Sequence, residues 1–323
     1  MNRDTHEPGV GAGTTTLVTS RIRGGSLAQL VRHLETVREP TSLSAGGTEA
    51  WIQSPAGVLL RFPPACTEPV GADVVEGLLA LRGAWLLNYL RAPSEQLPPD
   101  SYHFVCSDPG YGYHSLNASA RRNVRRGLLR HDVRPCTWQE WAESGYPAYA
   151  ETERRHGHKP TMTAFRRMVQ RWKGQPFHEV WGAWRGGELA AWMSILKLED
   201  WAKIDVVRSR TDAHSDRPTN ALLFLVTWTM LVVERRRYVS FGTSPVQEGV
   251  NEQSLREFKR RMGYEAVPVR RVFIAQPLLR PVLQSRGAAL LWRILARTFP
   301  GSELVRKAAG LSRVLSERDP PNP

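Results

Sequence analysis

Arginine residues are concentrated in one segment of the chain, and their spacing there is helical. Residues 121–134 contain six arginines against a single aspartate. Ala120, Val124 and Leu128 recur at the period of a helix and would form its buried stripe. Four arginines occupy the remaining circumference of this helix: Arg121, Arg122, Arg125 and Arg126. Because guanidinium groups match the geometry of phosphate oxygens, the segment is predicted to contact a polyanion or an acidic substrate.

A second candidate anion site precedes the most apolar helix of the chain. The loop at 208–219 carries Arg208, Arg210 and Arg217, and the helix after it is predicted to begin at Asn220. The first N–H groups of a helix have no partner within it and attract anions. Arg217 and Asn220 are therefore predicted to bind a phosphate-bearing ligand, with a solvated loop as the alternative.

One acidic residue is a candidate for proton transfer. Asp205 alternates with Ile204 and Val206 in a predicted strand. If its face of the strand borders a cleft, the carboxylate could accept or relay a proton, and otherwise it is a solubilising charge on an edge.

Alternating acids and histidines at 212–216, and the histidines at 156 and 158, are of metal-ligand types. They lack a second set at a fixed distance, so we expect neither a metal nor a permanently bound cofactor.

The composition is that of a globular protein. The 323 residues are 41% hydrophobic and 23% charged, which excludes a disordered, collagen-like or small disulfide-stapled chain. The three cysteines, Cys66, Cys106 and Cys136, are too few and too far apart for a disulfide framework, and we expect the protein to reside in the reducing cytoplasm.

The first 14 residues are predicted to be a disordered leader without the apolar core of a secretory signal. The longest apolar run, 221–233, is shorter than the roughly 20 residues that span a bilayer, and it predicts a buried helix.

The positive charge lies in two patches. Lysine and arginine number 44 against 31 acidic residues, and only six of the 44 are lysines. The arginine-rich segment is one patch; residues 279–314, with seven basic side chains against one glutamate, are the other. The second patch contains an amphipathic helix, in which leucine and tryptophan at 291, 292 and 295 alternate with arginine at 286, 293 and 297. Such a helix can lie on an anionic membrane or pack on the body of the protein.

The elements that must position these residues alternate between strands and helices. The first half is predicted to contain a strand at 14–20, a helix capped by Ser26, a hairpin of 50–53 and 58–62, a helix at 72–81, and strands at 85–90 and 102–106. After the arginine-rich helix, the second half is predicted to contain a strand at 133–138, helices at 147–155 and 161–172, strands at 178–184, 189–198 and 201–207, a helix at 220–236, a strand at 238–243, a helix at 253–262 and a strand at 265–274. This alternation predicts an α/β fold.

Two stretches of the second half resemble a known family. Residues 238–244, YVSFGTS, and 254–264, SLREFKRRMGY, are similar to the "FDFG-S … FK--FG" signature of FemAB-like proteins, which belong to the GNAT superfamily. Residues 120–126, ARRNVRR, resemble the basic "R--IR" segment of the same proteins. The agreement covers about 120–274, where the order of elements is also that of a GNAT acyltransferase.

The resemblance implies an α/β fold of two GNAT-like halves that divide near residues 120–135. We expect an N-terminal half at 15–130, a C-terminal catalytic half at 131–278 and a basic C-terminal extension at 279–323. The implied activity is the transfer of an acyl or aminoacyl group to an amine of a small molecule, a peptide or a cell-envelope precursor.

The resemblance also implies roles for particular residues. Lys259 stands at the lysine of the signature and would stabilise the tetrahedral oxyanion of acyl transfer. Thr243 and Ser244 at the end of the strand, together with Phe258, would bind substrate. Asp205 would lie on the strand that borders the acceptor. The arginine-rich helix would bind the tRNA of an aminoacyl-tRNA donor.

This chain departs from the family pattern at two places. Ser240 replaces the aspartate of the strand motif, and the turn at 217–222, RPTNAL, lacks the glycines that cradle the pyrophosphate of coenzyme A in ordinary GNAT enzymes. We therefore expect aminoacyl-tRNA as donor in preference to acyl-coenzyme A. The alternatives are a coenzyme A-dependent N-acetyltransferase and a non-catalytic adaptor that binds tRNA or an anionic membrane surface.

Overall fold

The computed structural model describes residues 24–298 except 38, 40, 45, 55–56, 245–251 and 281–284, and also residues 309, 310 and 312. The predicted leader at 1–14 and the predicted strand at 14–20 lie outside the described residues. The helices are α1 (Leu27–Thr36), α2 (Ala72–Leu79), α3 (Ala118–Arg130), α4 (Trp138–Ser144), α5 (Tyr146–Arg155), α6 (Met162–Trp172), α7 (Pro218–Trp228), α8 (Glu252–Arg261) and α9 (Arg286–Thr298). The strands are β1 (Thr41–Leu43), β2 (Ala50–Gln53), β3 (Val58–Phe62), β4 (Leu86–Arg91), β5 (Ser101–Cys106), β6 (Asp132–Pro135), β7 (His178–Arg185), β8 (Glu188–Leu198), β9 (Trp201–Ser209), β10 (Tyr238–Thr243) and β11 (Glu265–Ala275).

The described strands form one mixed sheet in the order β1-β2-β3-β4-β11-β5-β10-β9-β8-β7-β6. The first part of β11, from Glu265 to Val269, pairs with β5, and the rest, from Arg270, pairs with β4. One long strand from the second half of the sequence therefore joins two strands from the first half. β5, which precedes α3 in the chain, lies between β11 and β10.

Helices cover both faces of the sheet. In β9, Trp201 packs in the cluster that contains α1, and the next residue, Ala202, packs in the cluster that contains α3 and α7. Because successive side chains of a strand point to opposite faces, α1 lies across the sheet from α3 and α7. Strand β8 is covered on both sides, which accounts for its nearly continuous apolar sequence. No helix in the described part of the chain is long and apolar enough to cross a membrane.

Local sequence signals explain where several helices begin and end. Ser26 caps α1 through a capping box with Gln29, as the sequence predicts. The predicted strand at 133–138 is wrong at its end, because Thr137 and Glu140 form another capping box and begin α4 at Trp138. The predicted helix at 220–236 is α-helical only to Trp228 and continues as a π-helical turn, Thr229–Val233.

Candidate functional site

Three helices line an open cavity of about 590 Å³ on the α3 and α7 side of the sheet. Ser119 and Asn123 line it from α3, Arg217 and Asn220 from the start of α7, and Phe258 from α8. The structure thus brings together three residues that the sequence singles out in two separate segments, namely Arg217, Asn220 and Phe258. It also places the arginine-rich helix beside the predicted anion loop.

Helix α3 lies directly against the start of α7 because Gly127 has no side chain. A Cβ atom built on Gly127 would lie 2.5 Å from the carbonyl oxygen of Arg217 and 2.8 Å from the Cβ of Ala221. Both distances are shorter than a van der Waals contact, so any larger residue would push the two helices apart. The buried stripe of α3 agrees with this packing, since Ala120 and Val124 are buried as predicted and Leu128 is half-buried.

The start of α7 has fewer free backbone amides than an ordinary helix N-terminus. Arg217 has left-handed backbone angles, φ 61° and ψ 40°, and Pro218 in the first turn has no N–H. The amides of Asn220 and Ala221 both donate to the Arg217 carbonyl oxygen, at 3.2 and 3.4 Å. The prediction that the first amides near Asn220 are free for an anion is therefore wrong for these two groups. The exposed side chain of Arg217 is the cationic group that the turn contributes to the cavity.

The other two arginines of this loop are paired with carboxylates. Arg208 donates to Glu153 at 2.7 Å, and Arg210 donates to Glu188 at 2.6 Å. The metal-type residues of the loop also have such partners, since Asp212 accepts from Arg210 at 2.8 Å. Within the described ranges, no three His, Cys, Asp or Glu side chains come together as a metal site.

Lys259 is buried against the end of β10, one residue after Phe258 in α8. Its ammonium donates to the carbonyl oxygen of Phe241 at 2.7 Å and lies 4.3 and 4.7 Å from the ring centres of Phe104 and Phe241. The residue is only 4% exposed. Burial lowers the pKa of Lys259 to about 8, and no carboxylate among the described residues offsets this effect. Lys259 is therefore a dry and mostly protonated ammonium that only neutral groups of the described residues contact, beside the cavity and not in its lining.

Strands β9 and β10 separate close to Lys259. They pair in parallel over only three residue pairs, of which Ser240 with Lys203 is the last. Beyond this pair β9 continues to Ser209, and β10 bulges between Ser240 and Thr243 with Gly242 at φ 72°. The bulge lies in the pairing of β10 with β5, and it bends the strand that carries it. Phe241, whose carbonyl binds Lys259, lies within the bulge.

Thr243 and Ser244 are positioned by an arginine that sequence reasoning missed. Arg271 on β11 donates to the Thr243 hydroxyl at 2.6 Å and to the Ser244 carbonyl oxygen. The amide of Ser244 donates to the carbonyl of Tyr102 at 2.9 Å. The hydroxyl of Ser244 is buried and has no partner among the described residues. Of the two predicted substrate-binding hydroxyls, that of Ser244 is therefore the one left to donate.

Ser240, which replaces the aspartate of the family pattern, binds a histidine. Its hydroxyl lies 2.7 Å from Nε2 of His103 and accepts from the amide of Gly242 at 3.3 Å. Burial, together with the charge of Lys259, lowers the pKa of His103 to about 4, so this imidazole is neutral at physiological pH. Sequence reasoning did not single out His103; its only signal is a histidine in the middle of an otherwise apolar strand.

Asp205 forms an ion pair with a neighbour on its own strand. Its carboxylate is half-buried and accepts from the Lys203 ammonium at 2.5 Å. Burial raises the pKa of Asp205, but the charge and hydrogen bond of Lys203 outweigh it, and the net direction is downward. Asp205 is therefore ionised at neutral pH, but it lies with Lys203 and His178 on the α1 side of the sheet, so the structure places it opposite the cavity.

The arginines of α3 form a mainly exposed surface. Asn117 caps this helix by accepting from the amide of Ala120 at 2.7 Å. Arg122, Arg125 and Arg126 are exposed, and Arg121 is half-buried. Arg125 stacks on the ring of Tyr113, and Arg126 makes only a long contact of 3.8 Å with Asp216. Most of the positive charge of the helix thus remains available to a ligand.

The fold is shared with solved structures of very different sequence. FemX matches with a TM-score of 0.53 and 8% identity, over 79% of this chain and 93% of that chain. The C-terminal domain of an Agrobacterium fabrum protein assigned as a lysylphosphatidylglycerol synthetase matches with a TM-score of 0.52 and 14% identity, over 87% and 95% of the two chains. A tandem GNAT protein from the clavulanic acid biosynthesis pathway has a TM-score of 0.42 and 12% identity, over 77% and 93%. No protein-family model and no curated protein matches the sequence. The predicted α/β fold of the FemAB-like kind is confirmed by the match to FemX.

Proposed function

We propose that this protein is an acyltransferase that moves an acyl or aminoacyl group from an activated donor onto an amine. The amine nitrogen attacks the carbonyl carbon of an ester or thioester and forms a tetrahedral intermediate with a negative oxygen. The intermediate then breaks its bond to the oxygen or sulfur of the donor. The product is an amide, and the proton that the amine loses balances the one that the leaving group gains.

The observation that carries this proposal is the buried ammonium of Lys259. A neutral carbonyl gains little from a nearby cation, whereas the oxyanion of the intermediate gains much, so the charge favours the transition state over the ground state. The low polarity around Phe104 and Phe241 strengthens this attraction relative to water. The hydrogen bond to the Phe241 carbonyl holds the ammonium in place before the donor binds.

The region around the start of α7 supports an aminoacyl-tRNA donor over acyl-coenzyme A. A pyrophosphate cradle needs several free backbone amides, but Pro218 has none and the amide of Asn220 is bonded to Arg217, which leaves that of Thr219 as the free donor of the first turn among the described residues. The exposed arginines of α3 instead offer several phosphate contacts on a helix whose first turns line the cavity. In this proposal α3 holds the tRNA backbone, and Arg217 binds a phosphate near the cavity.

The acceptor amine would enter where β9 and β10 separate. Asp205 is ionised on the α1 side of the sheet and would relay the proton that the amine loses through the gap between the two strands. The unpartnered hydroxyl of Ser244 would donate to a carbonyl of the substrate. Thr243 would act mainly through its bond to Arg271, which fixes the end of β10.

A transfer assay tests the proposal. Total tRNA charged with radiolabelled amino acids, or radiolabelled acetyl-coenzyme A, is incubated with the protein and a small-molecule extract as the source of acceptors. We expect label to move from tRNA into a nuclease-resistant, alkali-stable product, and Lys259→Met to abolish this transfer. Label that moves only from acetyl-coenzyme A would replace this proposal with a coenzyme A-dependent N-acetyltransferase. Binding of tRNA by a folded protein without any transfer would replace it with an adaptor.

A further inference from the structure

An apolar strip of α9 faces solvent. Leu290, Leu291 and Ile294 are 56%, 55% and 51% exposed. Residues three and four positions apart share one face of a helix, so these side chains form a single strip. Trp292 and Leu295, on another face of the helix, are half-buried. The helix therefore packs through one face while a second face leaves large aliphatic groups in water, an arrangement that marks interaction surfaces.

All charged residues in the sequence around this strip are basic. Residues 266–302 contain six arginines and neither aspartate nor glutamate. Within α9, arginines stand at 286, 293 and 297, and a period of 3.6 residues per turn places these positions along one edge of the exposed strip. Both features are those of a helix that lies in the plane of a membrane interface, with aliphatic groups among acyl chains and guanidinium groups at phosphates.

We propose that α9 docks this protein on the surface of an anionic phospholipid bilayer. A bilayer that contains anionic lipids is uniformly negative, and it matches a helix whose only charged residues are arginines. The 13 residues of α9 are fewer than the roughly 20 needed to span a bilayer, so the helix lies on the surface. Docking is independent of the acyl transfer proposed above, because none of these residues lines the cavity.

Vesicle co-sedimentation of the full chain tests the proposal. The vesicles are phosphatidylcholine alone, or phosphatidylcholine with about 30% phosphatidylglycerol, at about 0.1 M salt. We expect binding to the anionic vesicles only. The double substitution Leu290→Glu with Leu291→Glu should weaken it more than tenfold, since burial of one leucine is worth about that factor. Arg293→Gln with Arg297→Gln should weaken it roughly 25-fold, since each arginine near an anionic surface contributes about fivefold.

Two controls separate α9 from the rest of the surface. Leu129→Glu changes an 85% exposed leucine on α3 and should leave vesicle binding unchanged. Arg122→Gln with Arg126→Gln removes charge from the arginine-rich helix and should also leave it unchanged. Circular dichroism of each variant confirms that it is folded.

Several results would overturn the proposal. These are equal sedimentation with both kinds of vesicle, no sedimentation with either, or anionic binding that survives both α9 variants. A wild-type dimer that Leu290→Glu with Leu291→Glu converts to a monomer, without lipid binding, would assign the strip to a contact between two copies of the chain.

Discussion

Lys259→Met should separate catalysis from stability. If the ammonium stabilises the oxyanion, its loss should lower kcat by about 10²- to 10³-fold, which is the cost of removing one such donor. Methionine is similar in length and can pack against the rings of Phe104 and Phe241, so the fold should be kept. Because Lys259 must be protonated to act, kcat/KM of the wild type should fall above a pH of about 8.

The same substitution should not destabilise the protein at neutral pH. Burial lowers the pKa of Lys259 from 10.5 to about 8, which corresponds to about 3 kcal/mol against the charged form. Methionine removes this cost but leaves the Phe241 carbonyl without its donor, a loss of about 1–2 kcal/mol. We therefore expect the free energy of unfolding at pH 7 to stay the same or to rise by about 1–2 kcal/mol.

The pH dependence of the stability difference has a definite sign. The unfolded chain keeps the lysine proton up to about pH 10.5, whereas the folded chain releases it near pH 8. Wild-type stability therefore gains from this group as pH rises through that window. The advantage of the methionine variant should be largest below pH 8 and should disappear toward pH 10.5. Urea unfolding at a series of pH values measures this difference.

Lys197→Met is the matched control for a buried lysine. Lys197 is 1% exposed and binds two carboxylates, those of Glu179 at 2.8 Å and Glu234 at 2.9 Å. Its loss leaves both carboxylates without a cation and should cost about 3–5 kcal/mol of stability. The turnover of the protein that remains folded should be unaffected.

Wild-type activity in folded Lys259→Met, or a destabilisation of Lys259→Met comparable to that of Lys197→Met, would refute the oxyanion role and make the ammonium a structural group.

Three further predictions concern the donor and the helices that would hold it. Calorimetry with acetyl-coenzyme A should detect weak binding or none, because the amides of Asn220 and Ala221 are already bonded; a low-micromolar dissociation constant would favour coenzyme A as donor. Arg122→Gln with Arg126→Gln should reduce the slope of log tRNA affinity against log salt by about one to two units, and an unchanged slope would exclude α3 from the tRNA contact. Gly127→Ala should lower the free energy of unfolding by about 1–3 kcal/mol in urea titrations, since its Cβ would lie 2.5 Å from the Arg217 carbonyl; wild-type stability would show that α3 and α7 can separate at no cost.

Helix ends and helix faces could be read from short stretches of sequence. Ser26 and Gln29 form the capping box that starts α1, and the alternation of Ala120 and Val124 with arginine marks the buried and exposed sides of α3. Thr137 and Glu140 carry the same capping signal for α4, so this helix could have been predicted. All of these depend on contacts within about one turn of the chain, which residue type and spacing alone control.

The candidate site could be predicted only in part, because most of its contacts join residues that are far apart in the sequence. The motif resemblance singles out Lys259, Thr243 and Ser244, but the spacing does not reveal that Arg271 binds the last two. The conformation of Arg217, which uses the first amides of α7, also depends on the fit between α3 and α7. Such contacts join segments that lie far apart in the chain.

The sequence by itself determined the α/β class, the amphipathic faces of the helices and the basic character of α3 and of the C-terminal segment. The tertiary structure alone decided that β5 lies between β11 and β10, which brings His103 against Ser240 and Lys259 against Phe104. It also decided that Lys259 has no carboxylate partner among the described residues, whereas Lys197 has two. The physical reason is that helix signals arise from neighbours in sequence. Strand order and the desolvation of a charge arise from the packing of the whole chain, which no local pattern records.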